Sequence, residues 1–519
     1  MVNVQLFNTS KGSYLQPADT LNAAGAPAYA MSPRHQLAQY AATGFLHATF
    51  YAGAEAQLAT VMALCEELDT AFIAKAAVYA RKQGYMKDMP ALLVAILAAR
   101  GAPELAPAFG KAIDNGKMLR TLVQILRSGA VGRKSLGSRP KKLVQDWLNT
   151  ASEAKLLAAS VGQSPSLADV VKMVHPKPRE AWREAFFAWL IGRPYDPARL
   201  PPTVQAFEAY KRDRGQPLPD LPFQMLCALD LGAQEWAQIA LQGSWQMVRM
   251  NLNTFARHGV YALEGMTGLV AAKLANPALI AKAGVFPYQL MAAYKAASPE
   301  VPALVREALQ EALEIALGQV PAIAGRAVVC PDVSGSMSAP VSGQRGSASS
   351  VMRCIDVAAL VAAALLRKNP DAVVLPFERD VVPCRVEAND RVLVNAEKLA
   401  ALGGGGTNCS APLAWLNRHR VEAELVVFVS DNESWVDARG RASETMLQWE
   451  VFKRANPAAR LVCIDCVPNA STQAQEREDV LNVGGFSDEV FRIVAAFAAG
   501  TSHAGQWVGA IEATDIGGA

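Results

Sequence analysis

Oxygen-bearing side chains follow two apolar runs and one glycine loop in the last third of this 519-residue chain. The stretch "VCPDVSGSMSAP" carries Asp332, Ser334 and Ser336, "LGGGGTNC" carries Thr407, and "LVVFVSDNESW" carries Asp431. Each set alone could be an ordinary exit from a strand into a turn, where Asp, Ser and Gly are common. Together their hard oxygen ligands suit Mg²⁺ or Mn²⁺. Three hydroxyls could bind the cation directly, with the two carboxylates acting through water.

Such a site requires elements that bring the three segments to one place. From Arg326 onwards, short β-branched runs such as "RAVVC", "ELVVFVS" and "ARLVCIDCV" alternate with helical runs such as "SVMRCIDVAALVAAALLRKN". This alternation predicts an α/β domain with a doubly wound, Rossmann-like parallel sheet. In such sheets ligands bind beyond the carboxyl ends of the strands, where the aspartates and serines would lie.

The chain before the sheet has a different periodicity. Between about Pro33 and Gly318, apolar residues recur at helical spacing, and the breaks fall at Gly, Pro and Asn. Helical hairpins roughly 40 residues apart would suit a HEAT-like solenoid, although an irregular helical domain remains open. Residues 1–320 carry 32 Lys and Arg against 24 Asp and Glu, and nine basic residues stand between Lys111 and Lys142 with Asp114 as the one acid. This excess favours a polyanionic partner.

The composition excludes some classes of protein. With 51% apolar and 19% charged residues, the chain is a globular and not a disordered one. Its longest strongly apolar stretch, residues 357–366, is too short for a membrane span, and the N-terminus lacks the pattern of a secretory signal. The eight cysteines are scattered, with Cys463 and Cys466 as the one close pair. We therefore expect free thiols and a cytoplasmic protein.

The order DxSxS, T, D resembles the metal-ion-dependent adhesion site of von Willebrand factor A domains. "VFPYQLMAAYKAA", "GGGGTNCSAPLAW" and "FVSDNESW", together with "YARKQGYMKDMPALLVA" and "FFAWLIGRP", resemble the Ro ribonucleoprotein autoantigen family. The resemblance implies an N-terminal extension at 1–30, a mainly α TROVE domain of HEAT-like repeats at 31–320, and an A domain at 321–519. Asn408 departs from the family pattern, because many relatives have Asp at this residue. The departure would imply a weaker or altered cation site.

The resemblance also implies a function. Ro-family proteins form a ring of helical repeats that binds small structured Y RNAs on a basic outer surface and single-stranded ends of misfolded RNAs in its hole. The expected roles are RNA stabilisation, quality control or turnover. In bacterial relatives an exoribonuclease can be bridged to the ring through a Y RNA.

The RNA-binding candidates lie in two segments. By resemblance, the basic segment from Ser128 to Trp147 contacts RNA, and "MVHPKPRE" carries a histidine of the RNA-binding surface. The phosphate contacts expected are Arg133, Lys134, Arg139, Lys141, Lys142, His175, Lys177 and Arg179. The alternatives are a solvated basic loop and a histidine that ends a helix. Weaker candidates are Arg81, Lys82 and Lys87, with Tyr85, Trp147 and Trp182 as stacking rings that could equally belong to the core.

No hydrolytic motif stands in the sequence, and "LGGGGT" lacks the Gly-Lys-Ser/Thr ending of a phosphate loop. We therefore expect an RNA-binding scaffold and not an enzyme. Two other hypotheses remain open. One is a cation-dependent protein-binding module whose helical half is only a scaffold, without RNA. The other is a chelatase-like enzyme subunit that recruits an ATPase through its A domain.

Overall fold

The computed structural model describes residues 15–43, 54–323, 325–341, 352–434, 442–485, 488–501 and 506–517. By packing, the chain divides into a sheet unit and a helical unit. The sheet unit comprises Met1–Val61, Phe286–Lys295 and Leu313–Ala510, and the helical unit comprises Met62–Val285, Ala296–Ala312 and Ile511–Ala519. Residues 1–14 of the expected N-terminal extension lie outside the described part. The domain limits expected at residues 30/31 and 320/321 come from the family resemblance, and they stay predictions.

The elements between residues 54 and 316 are all helices, as the helical periodicity predicts, and apart from two short 3₁₀ turns they are α-helices. Side-chain caps begin several of them, because Asp69, Asn115, Ser152 and Ser166 each accept a hydrogen bond from a backbone N–H of the first turn. The α-helices are α2 (Ala54–Glu67), α3 (Thr70–Lys82), α4 (Asp88–Ala99), α5 (Leu105–Ala112), α6 (Gly116–Ser128), α7 (Ser138–Thr150), α8 (Glu153–Ser160), α9 (Leu167–Val174), α10 (Ala181–Leu190), α11 (Pro202–Arg212), α12 (Phe223–Leu226), α13 (Ala233–Gln242), α14 (Trp245–Met250), α15 (Leu252–Arg257), α16 (Met266–Leu274), α17 (Pro277–Ala283), α18 (Pro287–Ala296) and α19 (Ala303–Ala316).

Within the helical unit, each helix packs on helices that are near it in sequence. Helix α3 packs on α4 and α5, α4 packs on α6, and α9 contacts α6, α7 and α10. The helix faces in these contacts are apolar, for example Leu119, Leu122 and Leu126 of α6, which are buried. This local packing of successive helices agrees with the predicted helical-repeat fold. It also holds α7 and α9 side by side, which matters for the basic surface described below.

The sheet unit contains a five-stranded sheet with the order β4-β3-β5-β6-β8, in which all four pairings are parallel. The predicted doubly wound parallel sheet is thereby confirmed. Its strands are β3 (Ala327–Pro331), β4 (Val373–Val374), β5 (Leu425–Ser430), β6 (Arg460–Asp465) and β8 (Val480–Gly484). The helices that follow β3 are α20 (Cys354–Lys368), α21 (Val392–Ala400), α22 (Ala411–His419), α23 (Glu444–Ala455), α24 (Asp488–Ala498) and α25 (Gln506–Glu512).

The core of the sheet unit fixes where each strand ends. One face of the sheet, including Cys330, Phe428 and Cys463, packs with side chains of α22 and α23 such as Leu413 and Trp449. Helix α20 packs on β3 and β5, and its residues 354–366 are all buried. Because neighbouring strands run parallel and pair in continuous register, their carboxyl ends lie along one edge.

A smaller antiparallel sheet brings N-terminal residues into the sheet unit. Strands β1 (Thr20–Leu21) and β2 (Pro27–Ala30) form a hairpin, and β2 pairs with β7 (Ser471–Thr472). Helix α1 (Pro33–Thr43) then packs on β8, and its Gln39 amide donates a 2.7 Å hydrogen bond to the buried Asp465 carboxylate at the end of β6. No motif or periodicity in the sequence indicates this arrangement.

Candidate cation site and nucleic-acid interface

Two neighbouring strands deliver the two aspartates of the predicted cation site. Asp332 follows β3 and Asp431 follows β5, and Pro331 pairs with Val429 at the ends of these strands. The Asp332 backbone N–H continues the ladder by donating to the Val429 carbonyl at 2.9 Å. The structure therefore places both aspartates at the carboxyl edge of the sheet, as the alternating pattern predicts.

The DxSxS turn holds its own carboxylate in place. Asp332 is fully buried, one of its oxygens accepts the Ser334 N–H at 2.8 Å, and the other accepts the Ser430 hydroxyl at 2.6 Å. The hydroxyl oxygens of Ser334 and Ser336 lie 3.2 Å apart. Two hydroxyls at this distance can act as neighbouring ligands of one small cation.

The glycine loop brings the third segment to the same place. The Gly335 N–H donates to the Gly405 carbonyl at 2.9 Å, which joins the DxSxS turn directly to the loop before the buried Thr407. Gly403 has φ of +107°, and a Cβ at this residue would lie 1.9 Å from the Val333 carbonyl oxygen. A side chain is therefore excluded there, and glycine allows the close approach of the two loops.

Asp431 is the predicted ligand whose negative charge is least compensated by its surroundings. It is buried, and neither carboxylate oxygen has a hydrogen-bond partner within the described residues. Burial, followed by the charge of Asp332, raises the pKa of Asp431 to about 8, and burial also raises the pKa of Asp332. A buried carboxylate without a partner is strongly unfavourable unless a proton or a cation neutralises it. This donor set, two carboxylates and nearby hydroxyls, fits a divalent cation with oxygen preference.

The described residues contain no group of three or more His, Cys, Asp or Glu side chains arranged for a metal ion. The predicted site does not depend on such a group, because it has two carboxylates and takes its other ligands from hydroxyls. The eight cysteines are all free thiols.

Asn408 has a role that the sequence did not reveal. Its amide donates to the Arg379 carbonyl at 3.0 Å, and its side-chain oxygen accepts both the N–H and the hydroxyl of Ser410, at 3.1 and 2.7 Å. The side chain is thus engaged in anchoring the loop that follows Thr407. A carboxylate could not donate to the Arg379 carbonyl, so asparagine suits this arrangement.

Sequence reasoning also missed two residues of this edge. Ser430 donates to Asp332 and accepts the Asn432 N–H at 3.0 Å, so one hydroxyl links both aspartate loops. Glu433 is 5% exposed, and burial raises its pKa to about 7. The run "SDNES" could have drawn attention to both, because polar residues directly after a buried strand seldom lack partners.

In the predicted RNA-binding segment, Arg133 binds a carbonyl at the end of α4, and Arg139 binds carbonyls of the turn that follows this helix. Arg133 donates to the Ala98 carbonyl at 2.7 Å, and Arg139 donates to the carbonyls of Gly101 and Ala102 at 2.9 and 3.1 Å. The last carbonyls of a helix lack intrahelical partners, and cationic side chains satisfy them well. These two arginines therefore have a structural role, whether or not they also contact a phosphate.

The lysines of the segment are placed differently. Lys134 is exposed and Lys141 half-buried, and neither side chain makes an ion pair or hydrogen bond with other described residues. Lys142 pairs with Asp146 at 2.9 Å, with 70% and 50% of the two side chains exposed. Such an exposed pair contributes little to stability and is easily replaced by another anion.

The structure brings the second predicted segment next to the first. The Gln145 amide of α7 donates to the Val174 carbonyl at 2.6 Å and to the His175 carbonyl at 3.3 Å. His175 ends α9 with φ of +51° and is exposed, as are Lys177 and Arg179 beyond it. We call the exposed face formed by the basic segment of α7 and the turn after α9 the basic surface.

The weaker RNA-binding candidates are mostly engaged elsewhere. Arg81 and Lys82 both pair with Asp114, at 2.9 and 3.7 Å. The Arg183 guanidinium lies 4.3 Å from the centre of the Trp182 ring. Tyr85 is 52% exposed and Trp147 is half-buried.

The helical repeats and the oxygen-lined edge of a parallel sheet define a protein that combines a helical-repeat domain with a von Willebrand factor A domain. Residues 326–498 match the family model described as the Ro60 vWA domain. The chain is 25% identical over 528 residues to the "RNA-binding protein RO60" of Deinococcus radiodurans, with 95% of this chain and 98% of that protein covered. The crystal structure of the Deinococcus radiodurans RO (RSR) protein has a TM-score of 0.62 and 22% identity, covering 91% of this chain and all of that one. Residues 326–498 thus match the A domain of the Ro family, and nearly the whole chain is similar to a Ro protein, as its motifs indicate.

Among the described residues, none of the helices combines the length and the apolar character needed to cross a membrane.

Proposed function

We propose that this protein binds RNA, and that the basic surface is where structured RNA is held. The observation that supports this most directly is the adjacency of α7 and the turn after α9, which brings the helix that carries Lys141 next to the exposed His175, Lys177 and Arg179, with the exposed Lys134 in the loop before α7. Exposed cations without anionic partners are suited to phosphates, which dominate the affinity of proteins for nucleic acids. The Deinococcus radiodurans relative is named an RNA-binding protein, which agrees with this role.

The RNA proposed is a small structured noncoding RNA of the Y type, bound by its helical part. We propose that single-stranded ends of misfolded RNAs are held in a hole of a helical ring, and this hole would have to be too narrow for a duplex. The protein would then act in RNA stabilisation, quality control or turnover in the cytoplasm, and an exoribonuclease would be bridged to it through the RNA. We propose a scaffold and not an enzyme.

We further propose that Asp332, Ser334, Ser336, Thr407 and Asp431 hold Mg²⁺ or Mn²⁺. The support is the buried Asp431 carboxylate, whose two oxygens find no hydrogen-bond donor in the described residues. A bound cation would supply an open coordination position for an acidic group of a partner. A cation-dependent protein-binding module without RNA is the second candidate function, and this same site favours it.

Binding of matched RNA hairpins tests the proposed function. We expect a hairpin with a 3′ single-stranded tail to bind more tightly than the same hairpin with a blunt end, at equal ionic strength. A bulky group at the end of the tail should remove the difference, whereas one on the hairpin loop should not, because the selection is steric. Equal affinities would contradict the threading of single strands. Absence of any RNA binding would favour the protein-binding module instead.

A further inference from the structure

The loop that carries Asp431 is held by residues from the other end of the chain. The β1–β2 hairpin lies far outside residues 326–498, the part that matches the Ro60 vWA family model. Its turn nevertheless contacts the loop after β5 at two adjacent residues. The Ala23 N–H donates to a carboxylate oxygen of Glu433 at 2.8 Å, and the Asn22 amide donates to the Ser434 carbonyl.

The hairpin is itself well defined, so it can act as a fixed support. The side-chain oxygen of Asn22 accepts the Ala26 N–H at 2.8 Å, and its backbone carbonyl accepts the Gly25 N–H at 3.0 Å. Asn22 is 6% exposed, and both ends of its amide are thus used, one inside the turn and one on the loop. Strand β2 then pairs with β7, and the Met31 N–H donates to the Ala470 carbonyl at 3.0 Å.

Strand β7 holds the same loop from its other side. The Asn469 amide donates to the Asp431 carbonyl at 3.0 Å, and the Asn432 amide donates to the Ser471 carbonyl at 3.3 Å. The Gln473 N–H donates to the Asn432 side-chain oxygen at 3.1 Å. Asn432 has φ of +64°, a left-handed conformation that asparagine tolerates better than most residues, and its side chain is bound at both its nitrogen and its oxygen. The Asp431 loop therefore takes its shape from the hairpin and β7 together.

The contact also reaches the loop that carries Thr407. The Ser434 hydroxyl accepts the Cys409 N–H at 3.3 Å, so the residue whose carbonyl is bound by Asn22 also touches the third segment of the cation site. A shift of residues 433–434 would move Asp431 on one side and the Thr407 loop on the other.

We propose that the N-terminal hairpin positions the cation site, with Asn22 and Glu433 as positioning residues that do not contact the cation. The inference rests on the proposed cation site. Metal sites need their ligands held within a few tenths of an ångström, and groups outside the ligand set commonly supply that order. In this protein the N-terminal hairpin would supply that order, although it lies outside the A domain that carries the proposed ligands.

The test compares two substitutions of one residue by titrating the metal-free full-length chain with Mn²⁺ in a calorimeter. Glu433→Gln keeps an oxygen that can accept the Ala23 N–H, whereas Glu433→Ala does not, and both remove the charge. We expect Glu433→Ala to bind Mn²⁺ roughly three- to tenfold more weakly than Glu433→Gln, since one hydrogen bond is at stake. Asn22→Ala should weaken binding similarly. Leu21→Ala, which trims a side chain 63% exposed on the same hairpin, should leave the affinity unchanged.

A second readout separates positioning from a loss of fold. In the absence of metal, amide exchange of residues 431–434 should be faster in Glu433→Ala than in Glu433→Gln, while the two variants unfold at similar temperatures. If the parental chain binds Mn²⁺ and both Glu433 variants bind it equally, the hairpin has no positioning role. If the parental chain binds no Mn²⁺, the proposed cation site is wrong and this inference falls with it.

Discussion

The carboxyl edge of the sheet and the basic surface of the helical unit use charge in opposite ways. At the sheet edge, Asp332 and Asp431 are buried, and the Asp332 carboxylate is held by a backbone N–H and a hydroxyl group. On the basic surface, Lys134, Lys177 and Arg179 are exposed. A site built from buried charges selects one small ion by geometry, whereas a surface of exposed charges attracts any polyanion and depends on salt. The two regions should therefore respond to different perturbations.

The largest expected effect is the loss of cation binding when either aspartate is removed. Asp332→Ala and Asp431→Ala should each abolish Mn²⁺ binding in calorimetry. Their effects on stability should differ, because the Ser334 N–H and the Ser430 hydroxyl lose their acceptor in Asp332→Ala, at about 1–3 kcal/mol for each buried donor left unpaired. The Asp431 carboxylate accepts no hydrogen bond from the described residues, so no donor loses its acceptor in Asp431→Ala. This variant should unfold at a temperature no lower than that of the metal-free parental chain. Retained Mn²⁺ affinity in both variants would refute the assignment of the ligands.

The next effect concerns the glycine loop, where two neighbours form a matched pair. Gly403 and Gly404 have φ of +107° and +123°, so alanine is strained at both, at about 1–3 kcal/mol. Only at Gly403 would the new methyl group collide with the backbone, at the Val333 carbonyl. We expect Gly403→Ala to lower the free energy of unfolding by more than Gly404→Ala and also to weaken Mn²⁺ binding. Equal decreases in denaturant unfolding would show that the close approach of the loops is not required.

On the basic surface, the expected effect is on salt dependence and not on stability. Replacing Lys134, Lys141, Lys177 and Arg179 with Gln should lower the slope of log affinity for a structured RNA against log salt by roughly 0.7–0.9 for each phosphate that is no longer bound. Thermal unfolding should change little, because three of these side chains are exposed and Lys141 is half-buried. A parental slope in this variant would show that the four residues face only water.

Two controls sharpen this measurement. Arg385→Gln removes an exposed arginine of the sheet unit, 91% exposed, and should leave the slope unchanged. Arg133→Gln or Arg139→Gln removes a donor to the carbonyls at the end of α4, and should lower the free energy of unfolding by about 1 kcal/mol. If Arg133→Gln changes the salt slope without changing stability, its main partner is RNA and not the helix.

The two regions also differ in how far the sequence could predict them. Asp332 and Asp431 could be placed together because strand periodicity and parallel topology fix where strands end. The contacts of Asn22 with Ser434 and of Asn408 with Arg379 could not, since they join segments far apart in the chain through single hydrogen bonds that leave no periodic signal. On the basic surface, residue type indicated the charge, but not that Arg133 and Arg139 bind backbone carbonyls at and just after the end of α4 while Lys134 stays exposed. That distinction depends on packing.

The last expected effect is a pH dependence of the sheet unit that involves neither proposed binding site. His35 of α1 is buried, and its ring lies 5.4 Å from that of Trp507 with the two planes at 75°. Its Nε2 has no hydrogen-bond partner within the described part of the chain. Burial lowers the pKa of His35, and the nearby Glu476 charge opposes this only in part.

Below its unfolded pKa of about 6.5, His35 binds a proton more readily in the unfolded chain than in the folded one. The free energy of unfolding should therefore fall on acidification from pH 7 to pH 5, by up to about 1.4 kcal/mol for each pH unit below 6.5. His35→Phe keeps an aromatic ring against Trp507 and cannot be protonated, so its stability should change less over this range in urea unfolding at several pH values. The basic surface makes no contribution to this pH dependence. The difference in pH dependence between the parental chain and His35→Phe should therefore persist at high salt. Parallel pH profiles for parental and variant chains would show that His35 titrates alike in the folded and unfolded states.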